Sequence, residues 1–183
     1  DFRLNWEDET GLHQTEIWTT QNDELPEHIP LPISVDVNDD AIDSQANYIF
    51  TSMNADGTNE EYLVFIMDRQ GRVVWAWDLP RFRLSLHPRL SHDGTDLLVD
   101  FNSFWYLYDG GSASQIQRMK IDGSVVDRYD TPGLHHPFTE LPDGTLVYGF
   151  NQAIDTGDWL YESLVKLTPE GEYIELFECR QYF

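Results

Sequence analysis

A hairpin that returns about every fifty residues constrains this chain more than any other feature. "YLVFIMDRQGRVVWAWDLP" at 62–80, "SQIQRMKIDGSVVDRYDTP" at 114–132 and "SLVKLTPEGEYIELFEC" at 163–179 each place β-branched and aromatic residues on both sides of a turn glycine. These glycines, Gly71, Gly123 and Gly171, stand 52 and 48 residues apart. A second hairpin type alternates with the first. "HDGTDLLVDF" at 92–101 returns as "PDGTLVYGF" at 142–150, with Gly94 and Gly144 fifty residues apart. Apolar runs punctuated by Asp, Gly and Pro signal antiparallel hairpins, and glycine supplies the positive φ that tight turns need.

Two hairpins per repeat make a four-stranded antiparallel unit. The spacing predicts strands at about 134–141, 145–151, 162–168 and 172–179 in the third unit, and at about 86–91, 95–102, 114–121 and 124–130 in the second. In the first unit it predicts outer strands at about 61–68 and 72–79, preceded by 47–53, with "PISVDVN" at 32–38 as the innermost strand. Helical periodicity is absent nearly everywhere. The expected fold is therefore all-β, with β-propeller blades at about 31–80, 81–132 and 133–183. Three blades do not close a ring, so the remaining blades would come from missing chain or a second chain. Residues 1–30 fall outside the period and are expected to form the tail of a preceding β-sandwich, or an N-terminal arm and linker. The abrupt ends, "DFRLNWEDE" and "FECRQYF", are those expected of a fragment.

An apolar content of 40% with 14% aromatic residues suffices for a packed core in a chain of 183 residues. The net charge of −22, from 33 acidic and 11 basic residues, argues against nucleic-acid binding and against docking on an anionic membrane. It suits a protein in secreted, periplasmic or cell-surface surroundings, or one that binds cations. Cys179 is the single cysteine, so no disulfide forms within the chain. No apolar run is long enough to insert in a membrane.

Two of the six histidines, His135 and His136, are adjacent in "TPGLHHPFTELPDG". His136 and His87, in "SLHPRLSHDG", occupy matching places, each before a proline, a first strand and an Asp-Gly turn. In a propeller, the loops into the innermost strands open on one rim of the central channel. Polar groups converging there are the default site. Successive side chains of an extended segment point to opposite sides, so one of His135 and His136 faces the channel and the other bonds the loop. His92 belongs to a solvent-facing turn, and His13 and His28 to the N-terminal arm. "GLHHPF" supplies no third ligand for zinc. "DVNDDAID" at 36–43 has the acidic spacing of a calcium loop without its turn glycine or terminal Glu, a weak calcium signal. The glycine-rich run at 108–119 reads as a connector between strands, and no nucleophile elbow, Walker loop or dinucleotide fingerprint is present.

"FIMDRQGRVVWAWD", "HPRLSHDGTDLLVD", "RMKIDGSVVDRYDTPGLHHPFTELPDGTLVYG" and "PEGEYIELFE" resemble the aryl-sulfate sulfotransferase family over about residues 45–183, most specifically at 117–150. The resemblance implies a six-bladed propeller, about half of it present, preceded by a small β-sandwich. It also implies transfer of a sulfuryl group, without PAPS or another cofactor, from an aryl sulfate to a phenolic acceptor through a histidine intermediate. His136 is the candidate nucleophile, with His135 as its alternative, unless that histidine belongs to another blade. His87 is a candidate donor to the sulfuryl oxygens or the leaving phenolate. Arg89, two residues along, is expected to share its face, and Asn102 and Asn151, ending the second strands of their blades, to orient substrate. The competing expectation is a non-catalytic secreted or cell-surface propeller, a binding or assembly module whose histidines are satisfied by backbone carbonyls.

Overall fold

The computed structural model describes residues 5–8, 11–14, 25, 29, 34, 47–54, 61–81, 83–101, 114–153 and 160–178. All regular structure among them is antiparallel β, and no helix is present among the described residues. Strands β1 (Asn5–Asp8) and β2 (Gly11–Gln14) pair as an isolated hairpin. The first larger sheet comprises β3 (Tyr48–Asn54), β4 (Tyr62–Asp68) and β5 (Val73–Asp78). The second comprises β6 (Arg89–Leu90), β7 (Leu97–Phe101), β8 (Gln115–Met119) and β9 (Val125–Asp130). The third comprises β10 (Leu134–Glu140), β11 (Leu146–Ala153), β12 (Leu160–Leu167) and β13 (Tyr173–Glu178). Each sheet runs in chain order, as consecutive hairpins require. The 32–38 strand lies outside the described residues.

The turns follow from their glycines. At Asp68, Lys120, Leu141 and Thr168 the residue before the turn accepts the amide of the glycine three positions on, and its own N–H donates to the carbonyl just beyond that glycine. The four glycines have φ of +75° to +85°, where a Cβ collides with the backbone and glycine escapes the cost. Ser91 closes the same loop around Gly94 with one residue more. The last strand pair of each sheet then carries a bulge, skipping Val74, Val126 and Leu176 in the register. Bulges strengthen the right-handed twist of a strand pair.

Alternation decides how the sheets stack. Leu97, Val99, Phe101 and Met119 of the second sheet pack on Val64 and Leu79, with Phe50, Ile66, Trp75 and Trp77 of the first sheet around them. The Trp77 and Phe101 rings meet edge to face at 5.9 Å. On the opposite face, Leu98 and Ile116 pack on Leu134, Phe138, Leu146, Tyr148, Val165 and Leu167 of the third sheet. The outward face of the first sheet, with Leu63 and Phe65, packs on Ile29. Polar ties cross the same seams: Trp75 Nε1 donates to the Ile121 carbonyl at 2.7 Å, and the Tyr173 hydroxyl donates to the Asp130 carbonyl.

Gly123, at φ +84°, has open space where a Cβ would sit, so its substitution isolates the backbone term. Gly123→Ala is expected to lower unfolding free energy by about 1–2 kcal/mol in urea titration, and Gly123→Asn by less, since Asn tolerates this region. Equal stability of all three proteins would remove the turn from the account.

Candidate functional site

The segment leading into β6 is shorter as a strand than 86–91 because its amides are engaged elsewhere. Asp100, in the middle of β7, points to the face opposite Val99 and Phe101 and is fully shielded from solvent. Its carboxylate accepts the Ser85 hydroxyl at 2.5 Å and the amides of Leu86 at 2.9 Å and His87 at 3.1 Å. Pro88 has no amide to offer. Pairing with β7 begins only at Arg89, opposite Leu98. Burial pushes the Asp100 carboxyl above the usual range, although the three donors pull the other way.

Asp100 thus fixes the backbone that carries His87. The imidazole is half-buried, and its Nδ1 is shielded from solvent with no hydrogen-bond partner among the described residues. The same holds for Nε of Arg89. Arg89 lays its guanidinium over the Phe138 ring, 5.0 Å from the centroid. This contact sets β6 against β10, the first strand of the next sheet, whose backbone includes His135 and His136. Shielded side-chain nitrogens without a partner among the described residues are uncommon.

The structure therefore brings Arg89 and the His87 segment to the strand of the paired histidines. The imidazoles of His135 and His136 lie outside the described side chains. Asn151 sits on β11 opposite Glu162 in the register, its side chain also outside them, and Asn102 lies outside the described residues. So do 36–43, 108–113 and Cys179. His92 is exposed, as its turn position suggests, and its amide donates to Glu140 Oε2 at 2.7 Å. Among the described residues, no three His, Cys, Asp or Glu side chains converge as a metal set.

Two features escaped the sequence reading. One is Asp100, whose signal was a charge inside the apolar run "LLVDF", where a buried carboxylate must find donors. The other is a network between the second and third sheets. Arg118 on β8 binds Asp96 at 3.1 Å and pairs with Glu140 at the end of β10, while Lys120 pairs with Asp96. Arg118, Asp96 and Glu140 side chains are at most 15% exposed, so solvent screens them little.

A scan of protein-family models and searches of curated proteins and of solved structures returned no match.

Asp100 takes up its proton more readily folded than unfolded, so in the window between the ordinary carboxylate range and its raised value the folded chain binds more protons. Stability contributed by this group therefore falls as pH rises through that window. Relative to Asp100→Asn, the wild type is expected to lose stability in urea titrations as pH rises above the ordinary carboxylate range, about pH 4. Parallel pH profiles for the two proteins would show that Asp100 titrates normally.

Proposed function

We propose that the three stacked sheets are successive blades of a β-propeller and that the edge where β6 meets β10 takes the sulfuryl group of an aryl sulfate. The supporting observation is the pair of shielded nitrogens, His87 Nδ1 and Arg89 Nε, that find no partner within the described chain beside the strand bearing His135 and His136. A binding module whose histidines merely brace the loops would leave His87 satisfied by a backbone carbonyl. Among the described residues its Nδ1 has none, which favours the transferase reading.

The reaction fits these groups. A neutral imidazole of His136, or of His135, attacks sulfur and forms an N–S bond while the bond from sulfur to the aryl oxygen breaks. The phenolate leaves and takes a proton. A second phenol then attacks the same sulfur, the N–S bond breaks, and the acceptor's proton passes to solvent or a neighbouring base. Negative charge spread over the sulfuryl oxygens calls for fixed donors nearby, the role proposed for His87 and Arg89. Asn102 and Asn151 would orient substrate, no cofactor is required, and an extracytoplasmic setting suits the acidic chain. Further blades, from additional chain or a second chain, would complete the ring.

With p-nitrophenyl sulfate and a phenol acceptor, the chain with its completing blades is expected to release nitrophenol only when the acceptor is present. His136→Ala should lower the rate by several orders of magnitude, and His87→Ala by about 10²–10³, the cost of removing an oxyanion donor. If His135→Ala rather than His136→Ala abolishes turnover, the nucleophile is His135. Equal rates in all variants would remove the histidines from the chemistry, and no turnover in the wild type would leave the binding module.

A further inference from the structure

Counted from the turn glycines Gly71, Gly123 and Gly171, three positions recur on the forward face of each sheet, the face turned to the sheet that follows. Seven residues before and six after the glycine stand a cross-strand pair: Val64 with Trp77, Ile116 with Tyr129, Leu164 with Phe177. Five residues before stand Ile66, Arg118 and Lys166. The pairing survives in the third sheet although its bulge has moved two residues along β13.

In the first two sheets the pair is covered by its successor, and Val64 and Ile116 are both 0% exposed. In the third sheet Leu164 is 41% exposed and Phe177 42%. An aliphatic–aromatic pair left exposed at the place that the two preceding sheets keep covered is characteristic of an interaction surface. At the second seam the residue five before the glycine is a cation, Arg118, and it meets Glu140, the last residue of the next sheet's first strand. Lys166 holds the same place on the open face.

We propose that this face of β11, β12 and β13 is the docking surface for a further four-stranded sheet of the same repeat, whose first strand ends in a carboxylate that pairs with Lys166. The occupant follows from continuity: the aliphatic–aromatic pair makes a seam twice within the molecule, a cation joins it at the second seam as Arg118, and the third set keeps both. Among its described residues, a second copy of the chain offers no matching sheet. The receiving faces of its second and third sheets are covered by its first and second, and that of its first sheet packs on Ile29. Two chains of net charge −22 also repel one another. This inference deepens the propeller part of the reading above, rests on that part, and requires nothing of the sulfuryl chemistry.

The test extends the full chain beyond Phe183 with a duplicate of residues 131–183, so that the copy of Glu140 comes to Lys166. In the extended chain, Lys166→Glu is expected to lower the folding equilibrium constant about tenfold, the scale of coupling between contacting residues. Changing the copied glutamate to lysine should restore it, while in the original chain Lys166→Glu should change little. Leu164→Asp should detach the added unit, read as a separate unfolding transition, yet leave the original chain folded. Equal effects of Lys166→Glu in both chains, or no restoration, would overturn the carboxylate pairing. A concentration-dependent dimer of the original chain that Leu164→Asp disperses would overturn the choice of occupant and assign the face to a second copy. None of these readouts depends on turnover, so an inactive protein leaves the docking surface standing, and a failed dock leaves the histidine chemistry untouched.

Discussion

All five residues of β7, Leu97 to Phe101, are shielded from solvent, although a strand sends successive side chains to opposite faces. A sheet built on such a strand is stable only when another sheet covers each face. The first sheet takes Leu97, Val99 and Phe101, and the third takes Leu98. Full burial of one aliphatic side chain stabilises by about 1.5–3 kcal/mol, so the stacking outweighs any single hydrogen bond in the molecule. Removing either neighbour would expose the apolar side chains of one face.

The same burial creates the polar demands that shape the candidate site. Asp100 shares β7 with four apolar residues and cannot reach water, so it takes its hydrogen bonds from Ser85, Leu86 and His87. That capture shortens β6, immobilises the His87 backbone and turns a strand entrance into a defined loop. Arg89 resumes the ladder and reaches across the seam to Phe138. The geometry near the paired histidines is thus a by-product of satisfying one buried carboxylate.

Scarce cations are placed where they count. In a chain with three acidic residues for each basic one, Arg118 and Lys120 stand at the seam between the second and third sheets, where Asp96 and Glu140 converge. Apolar area holds the sheets together without fixing their relative slide, because it is non-directional. The carboxylates around Arg118, the Trp75 indole on Ile121 and the Tyr173 hydroxyl on Asp130 are directional and set the register of one sheet on the next.

Most strands were legible from periodicity, because alternation and turn glycines are local properties. The predicted 62–80 and 114–132 hairpins appear as β4–β5 and β8–β9, with glycines at the required positive φ. The run at 86–91 was not legible in full: its amides answer to a carboxylate some thirteen residues away, a partner that no local pattern names. Likewise the apolar run from Leu97 to Phe101 marked a strand but not which sheet each face would meet. The sequence by itself determined the hairpins, their turns and the fifty-residue repeat, since these depend on backbone conformation and near neighbours. Only the tertiary structure decided that Asp100 holds His87, that Arg89 lies over Phe138 and that Glu140 closes on Arg118. Each of those contacts exists because sheets must cover one another's apolar faces, a requirement met between units distant in the chain.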